Sequence, residues 1–235
     1  MRVMADFDVI IPCKALAEGK SRLAPVLSKS ARYELCAAML QQTLTVAVDV
    51  LSPSHIWLTT PDDFAESLAS KFGTKVIADD GKDLNHALEL ARAAIHPRSR
   101  ELENGLMVLP IDLPLLCAES LERFVASTAD VTISADRTGT GTNALFLKGT
   151  AVTHFPFRYG RDSFYRHCEL SRVNRHELRV VDDLTLALDL DTPDDLALVP
   201  MVVANARCRS DFFGDNREHR RERLSREVAP KQRSD

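Results

Sequence analysis

The sequence predicts an α/β fold, a mostly parallel sheet with helices on both faces. Three observations predict it. From Phe7 to Ala135, short apolar runs alternate with amphipathic stretches, the rhythm of strand–helix–strand units. The run Leu106-Met107-Val108-Leu109 shows no polar alternation, which suits a strand covered on both faces. The chain has 235 residues with 45% hydrophobic and 27% charged content, enough for one sizeable domain with its own core.

The elements follow in order. Phe7–Pro12 is an apolar run ending in Pro, the first strand. A long loop runs from Cys13 to about Leu27. Leu35, Met39, Leu40, Leu44 and Ala47 then recur at helical spacing, with Ser28 or Ser30 as N-cap. His55–Thr59 is the second strand. Thr60-Pro61-Asp62-Asp63 reads as N-cap, Pro at N1 and first-turn acids of a helix that Gly73 stops. Lys75–Ala78 is the third strand, Asp79–Asp83 a turn, and Leu84 to Ile95 a helix. The apolar run from Leu106 carries Asp112 between Pro110 and Pro114. A helix from Glu119 to Ser127 and a strand from Val131 to Ser134 complete the alternation. Beyond it, a polar loop (Asp136–Asn143) precedes a strand at Ala144–Leu147. A helix begins at Ser163, and Arg179–Val181 and Leu186–Asp191 are strand candidates. Thr192-Pro193-Asp194-Asp195 repeats the cap signature before a helix to about Asn205. The expected organisation is one domain over residues 1–206 and a charged tail over 207–235, a solvated helix or disorder.

The formal net charge of −4 gives no electrostatic case for nucleic acid. No apolar run approaches the roughly 20 residues that span a bilayer. Met1–Asp6 lacks a secretory apolar core, and the expected location is cytoplasmic. The five cysteines contain no C-x-x-C pair, so neither a zinc site nor a disulfide framework is expected.

The chemistry gathers in few places. A lone carboxylate such as Asp112, at the end of a buried strand, sits in a tight turn or at the mouth of a site where cations hold it. Lys14, Lys20 and Arg22 occupy the loop after the first strand. Glu18-Gly19-Lys20-Ser21 resembles the end of a P-loop, but that motif needs a Gly where Lys14 stands. The loop is either a solvated basic segment or a polyphosphate grip. Asp189 and Asp191, two apart on an expected strand, share a face and repel unless a cation lies between them, and magnesium suits that role. Asp194 and Asp195 are explained as first-turn acids. Gly139-Thr140-Gly141-Thr142-Asn143 lets a ligand approach backbone amides. Gly160 and Ser163 stand at a helix start, with His167 one turn on, read as structural.

Together these segments resemble a family. Pro12-Cys13-Lys14, Lys20-Ser21-Arg22-Leu23, Leu84-Asn85, Asp112-Leu113-Pro114-Leu115, Gly139–Asn143, Tyr159-Gly160, Ser163-Phe164, His167 and Asp189-Leu190-Asp191-Thr192-Pro193 are similar to the guanylyltransferases of coenzyme F420 biosynthesis, over residues 6 to 204. The resemblance implies a Rossmann-like, glycosyltransferase-A-like nucleotidyltransferase fold with a mostly parallel mixed sheet. It implies transfer of GMP from GTP to the phosphate of 2-phospho-L-lactate, phosphoenolpyruvate or 3-phospho-D-glycerate, with release of pyrophosphate. Its magnesium ligands map onto Asp112, Asp189 and Asp191, and its phospho-acid contacts onto Thr142, Gly160 and Ser163. Its GTP phosphate contacts map onto Lys14, Lys20 and Arg22, and Leu84 and Asn85 fall near the guanine. A homodimer and a downstream transferase as partner are further implications. Cys13 and Asp83 depart from residues common in the family, Val and Gly. The competing readings are a molybdenum-cofactor-type nucleotidyltransferase of the same fold and a non-catalytic GTP-binding regulator.

Overall fold

A computed structural model describes residues 7–79, 81–95 and 105–199. The chain divides into two compact units, Met1–Leu196 and Ala197–Asp235. The charged segment from residue 207 and the expected helix end near Asn205 lie outside the described residues.

Seven strands form one sheet: β1 (Phe7–Pro12), β2 (Ile56–Thr60), β3 (Lys75–Ala78), β4 (Gly105–Val108), β5 (Val131–Ala135), β6 (Thr142–Leu147) and β7 (Leu178–Val180). Their order is β3-β2-β1-β4-β6-β5-β7. All pairings are parallel except those of β6, which runs against both β4 and β5. The sheet is therefore mostly parallel and mixed, as expected. The reversal has a local cause: β5 and β6 are joined by the short Asp136–Gly141 loop, too short for a crossover.

The helices are α1 (Lys29–Val50), α2 (Asp63–Lys71), α3 (Leu84–Ile95), α4 (Ala118–Val125), α5 (Ala151–His154), α6 (Ser163–Val173) and α7 (Leu184–Ala187), with α8 over residues 193–199. Ile10, Leu106, Val108, Ile133 and Leu145 form one face of the sheet and pack with Leu88 of α3, Val152 of α5, Phe155 and Phe157. The alternate residues Val9, Ile11, Met107 and Phe146 point the other way and are buried as deeply. Strands buried on both faces are why the runs lack alternation.

Several local readings change. The N-cap of α1 is Ser28, whose hydroxyl accepts the Ala31 N–H. The N-cap of α2 is Asp62 rather than Thr60, because Thr60 is claimed by β2 while the Asp62 carboxylate accepts the Phe64 and Ala65 N–H groups. Thr142 and Asn143 belong to β6 rather than to the preceding loop. The strand expected over Leu186–Asp191 does not form. Asp183 accepts the Thr185 N–H and caps the short helix α7, and residues 188–191 then run extended outside the sheet. A local cap has prevailed over apolar alternation, and the shared-face argument for Asp189 and Asp191 falls with the strand.

Gly105 starts β4 where a Cβ would lie 2.5 Å from the Phe146 ring, itself wedged edge-on against Phe7. Gly105→Ala is expected to lower stability by about 1–3 kcal/mol through overpacking, read from urea unfolding. A variant as stable as wild type would show that this strand pair has slack.

Candidate active site

Strands β1, β4 and β5 end, and the reversed β6 begins, at one edge of the sheet. Open parallel sheets bind ligands at this carboxyl edge, and the candidate residues gather there in two clusters.

The first cluster is charged. After β1 the chain makes two 3₁₀ turns, Leu16–Glu18 and Ser21–Leu23. Gly19 between them is buried, and a Cβ there would overlap the Cys36 sulfur of α1. Lys20 follows on a left-handed backbone, φ 52° and ψ 40°, a conformation unfavourable by about 1–2 kcal/mol for a residue with a Cβ. Its Nζ donates to Asp112 Oδ2 at 2.8 Å and to Asp191 Oδ1 at 2.7 Å. The side chain is only 7% exposed. Burial pulls the Lys20 pKa down, but Asp112 and Asp191 outweigh it and hold it above the ordinary lysine value.

Asp112 leaves β4 past Pro110, and its carbonyl accepts the Leu190 N–H at 2.9 Å, which lays the 188–191 segment beside it. Asp195 shapes the end of that segment. Its carboxylate accepts the Thr192 N–H at 2.8 Å, the Thr192 hydroxyl at 2.7 Å, the Asp191 N–H at 3.2 Å and the Arg137 guanidinium at 2.9 Å. Asp195 is therefore a capping acid, as expected, that also fixes Asp191; Asp194 is exposed. Asn143 ties the same region to β6 by donating to the Leu186 and Ala187 carbonyls.

Asp189 differs from its neighbours. Burial, then the charges of Asp112 and Asp191, raise its carboxyl pKa to about 6. Arg22 reaches Asp191 at 3.8 Å, but its side chain is 74% exposed and contributes little. Lys14 is exposed on the cleft wall. Among the described residues, no three His, Cys, Asp or Glu side chains converge as metal ligands do. Asp112 and Asp191 converge on the Lys20 ammonium instead.

A cleft of about 520 Å³ opens beside this cluster, between the loop after β1, the turn Gly81–Leu84, Asp112 and Asp191. Cys13 lines it, but burial and nearby Asp62 push its thiol up to about 12, so it is an inert wall. Leu84 is exposed at the cleft. Asn85 is engaged elsewhere: its Oδ1 accepts the Tyr159 N–H at 2.7 Å and its Nδ2 donates to the Tyr159 carbonyl at 3.1 Å. It clamps the loop at Tyr159 to α3.

The second cluster is neutral. Thr142 and Ser163 are both buried, and the Thr142 N–H donates to Ser163 Oγ at 2.8 Å. His167 is fully buried, with Nδ1 2.9 Å from Thr142 Oγ1 and Nε2 accepting the Arg158 N–H at 2.9 Å. Burial, and then Arg158, lower its pKa to about 4. Gly160 has φ +117°, which a side chain rarely adopts. Asp136 folds the Gly139–Gly141 loop by accepting the Thr140 N–H at 2.9 Å, and the Thr140 carbonyl accepts the Phe164 N–H of α6. Of the residues that sequence reasoning passed over, Asn143 bonds to backbone 43 and 44 residues on and Arg137 to the Asp195 carboxylate, long-range contacts that leave no spacing signal, while Asp136 acts locally on Thr140.

A sheet of this order with a carboxylate–lysine cluster at its carboxyl edge defines the class: the fold is that of the nucleotidyltransferases. The likeness to a putative nucleotide-diphospho-sugar transferase from Desulfovibrio desulfuricans G20 agrees in fold, with a TM-score of 0.67 at 17% identity over 83% of this chain and 87% of that one. Residues 7–213 match the family described as guanylyl transferase CofC like, and the chain belongs to that family. It is 39% identical over 199 residues to the phosphoenolpyruvate guanylyltransferase of Mycolicibacterium gilvum (strain PYR-GCK), covering 82% of this chain and 88% of that protein. It is 34% identical over 194 residues to the phosphoenolpyruvate guanylyltransferase of Chloroflexus aggregans (strain MD-66 / DSM 9485), covering 80% and 94%.

The two perturbed groups have opposite linkage. Asp189 titrates higher in the fold than in the unfolded chain, so its contribution is intact below pH 3.8 and lost as pH rises through about 6. His167 titrates lower, so its contribution is intact above pH 6.5 and lost as pH falls through about 4. Asp189→Asn is therefore expected to be more stable than wild type at pH 8, by about 1 kcal/mol after discounting for partial exposure. Its stability then falls more steeply with acid, because the opposing Asp189 effect is gone while His167, Asp183 and Asp195, all titrating low in the fold, still lose their contributions. Urea melts from pH 8 to 4 measure this, and equal stabilities at pH 8 would contradict it.

Proposed function

We propose that the protein is a guanylyltransferase that moves GMP from GTP onto the phosphate of phosphoenolpyruvate, releasing pyrophosphate, as a step in making coenzyme F420. The carrying observation is the Lys20 ammonium shared by Asp112 and Asp191 at the mouth of the cleft, in a chain that belongs to this family. Phosphoenolpyruvate leads over 2-phospho-L-lactate and 3-phospho-D-glycerate because relatives at 34–39% identity carry that name.

The chemistry of the donor set, rather than its convergence as it stands, suits a divalent cation such as Mg²⁺. Asp112, Asp189 and Asp191 offer the hard oxygen ligands it prefers, and Asp189 carries a charge its surroundings disfavour. When bound, the ion neutralises phosphate charge and polarises the reacting phosphoryl group. Both Lys20 contacts are to carboxylate oxygens, so a cation in place of the ammonium meets the same two groups. The ammonium, freed from them, is a phosphate ligand beside Lys14 and Arg22. The base rests along the Gly81–Leu84 turn. Thr142, Gly160 and Ser163 hold the phospho-acid at the β6 end of the edge.

The acceptor phosphate oxygen attacks the α-phosphorus of GTP, the new P–O bond forms in line, and the bond to the pyrophosphate oxygen breaks. The acceptor is already ionised at neutral pH, so no general base is needed. His167 agrees with this: both ring nitrogens are engaged and the ring is buried. Positioning and charge neutralisation do the work.

The test supplies GTP and Mg²⁺ with each of the three acids and reads pyrophosphate release, with the product identified by mass after coupling to the next transferase. The expected result is turnover highest with phosphoenolpyruvate. Folded Asp112→Asn and Lys20→Met variants are expected to lose about 100-fold or more in kcat/KM. No release with any acid, or a near-normal Asp112→Asn, would defeat the proposal.

A further inference from the structure

We infer that His167 is a positioning residue that fixes the Thr142 hydroxyl, beside a Ser163 hydroxyl held the same way by the Thr142 N–H, as a hydrogen-bond donor to an oxyanion of the phospho-acid, an inference that rests on the guanylyltransferase reading above. Hydrogen-bond polarity carries it. A backbone N–H can only donate. The Arg158 N–H donates to His167 Nε2, so Nε2 bears no proton. The ring is then neutral, with its proton on Nδ1. That proton goes to Thr142 Oγ1, at 2.9 Å. Thr142 Oγ1 is an acceptor in this contact, and its own proton must be given elsewhere.

The same logic applies one residue away. The Thr142 N–H donates to Ser163 Oγ at 2.8 Å, so that hydroxyl also accepts and has its proton left to give. Among the described residues, neither hydroxyl donates that proton to a protein acceptor. Two buried hydroxyls whose protein contacts are both accepting bonds each have a proton to give, and a carboxylate or phosphate oxygen, which only accepts, can take both at once.

The ring cannot readily turn over to reverse this polarity. It is fully buried, with Phe155 and Tyr159 at 5.8 and 5.2 Å between ring centroids, and it emerges from the middle of α6. A flipped ring would present carbon to both partners. Low basicity adds to this, since burial keeps the ring uncharged across the neutral range.

Asn and Gln separate the two halves of the histidine. An Asn carboxamide nitrogen falls near the place of Nδ1 and can donate to Thr142; a Gln carboxamide reaches the place of Nε2 and can accept from Arg158. Steady-state kinetics on His167→Phe, His167→Gln and His167→Asn decide the matter, with KM for the phospho-acid read separately from KM for GTP. Expected is a rise in acid KM of about 10- to 100-fold for His167→Phe and His167→Gln, the loss of an oriented bond to a charged group, with GTP KM little changed. His167→Asn recovers most of it, and adding Thr142→Val to His167→Gln costs nothing beyond Thr142→Val alone. Recovery by Gln rather than Asn, or equal losses in both KM values, would assign the ring to loop support and overturn the inference. Should the variants fail to fold, two-bond ¹H–¹⁵N correlation on the wild-type protein reads the tautomer directly. A proton on Nδ1 supports the inference and a proton on Nε2 overturns it. Absence of guanylyl transfer with every acid would instead overturn the proposed function and leave the tautomer measurement as it stands.

Discussion

A buried ammonium is unfavourable unless carboxylates meet it, and a buried carboxylate pair is unfavourable unless a cation does. Lys20 meets both conditions at once, donating to Asp112 across 92 residues of sequence and to Asp191 across 171. These two bonds gather the ends of three loops at one sheet edge. The ammonium is buried while Asp112 and Asp191 are 26% and 39% exposed, so solvent screens the pair, yet this contact sets the geometry of the edge. The contact rests in turn on the fold. β1 and β4 are adjacent and parallel, so the loops that follow them leave side by side. Gly19 lets the first of those loops press against α1, and the left-handed backbone at Lys20 turns its stem inward.

The edge carries features that a sheet built only for stability would avoid. Two of the three non-glycine residues with positive φ among the described residues, Lys20 and Asp162, lie here (Arg175, past the end of α6, is the third), and Asp189 holds a carboxyl whose charge its setting disfavours. Such local choices are found at functional sites. The two clusters differ in chemistry: the Lys20 cluster is ionic, and the Thr142–Ser163–His167 cluster is neutral. Asn85 and Asp195 both bond to loop backbone. They fix backbone at Tyr159 and Asp191, each spending its side chain on the loop that carries a functional neighbour.

Most of the sheet was legible in the sequence because buried parallel strands are apolar throughout and β1, β2, β3 and β5 are flanked by turn residues and caps. The carboxylates Asp112, Asp189 and Asp191 were also legible as an unusual set. Their arrangement was not. The alternation over Leu186–Asp191 reads as a strand, yet Asp183 caps a helix there and the segment never joins the sheet. That Asp112 and Asp191 share one lysine is a long-range fact with no signature in spacing. Asn85 carries a motif position but bonds to backbone 74 residues away. His167 read as structural, and the direction of its two hydrogen bonds became visible only when Arg158 and Thr142 were placed on either side of it.

The central proposal is that the Asp112–Asp189–Asp191 edge is the cation site of a nucleotide cleft, its Asp112 and Asp191 carboxylates held by Lys20 until a cation replaces the ammonium. Crystals grown with Mn²⁺ and a non-hydrolysable GTP analogue test it most directly, through the anomalous scattering of manganese. The account predicts an anomalous peak within ligating distance of at least two of these three carboxylates, with the triphosphate in the cleft between the loop after β1 and the Gly81–Leu84 turn. A peak elsewhere, or a nucleotide bound away from this edge with Lys20 still bridging Asp112 and Asp191, would contradict it.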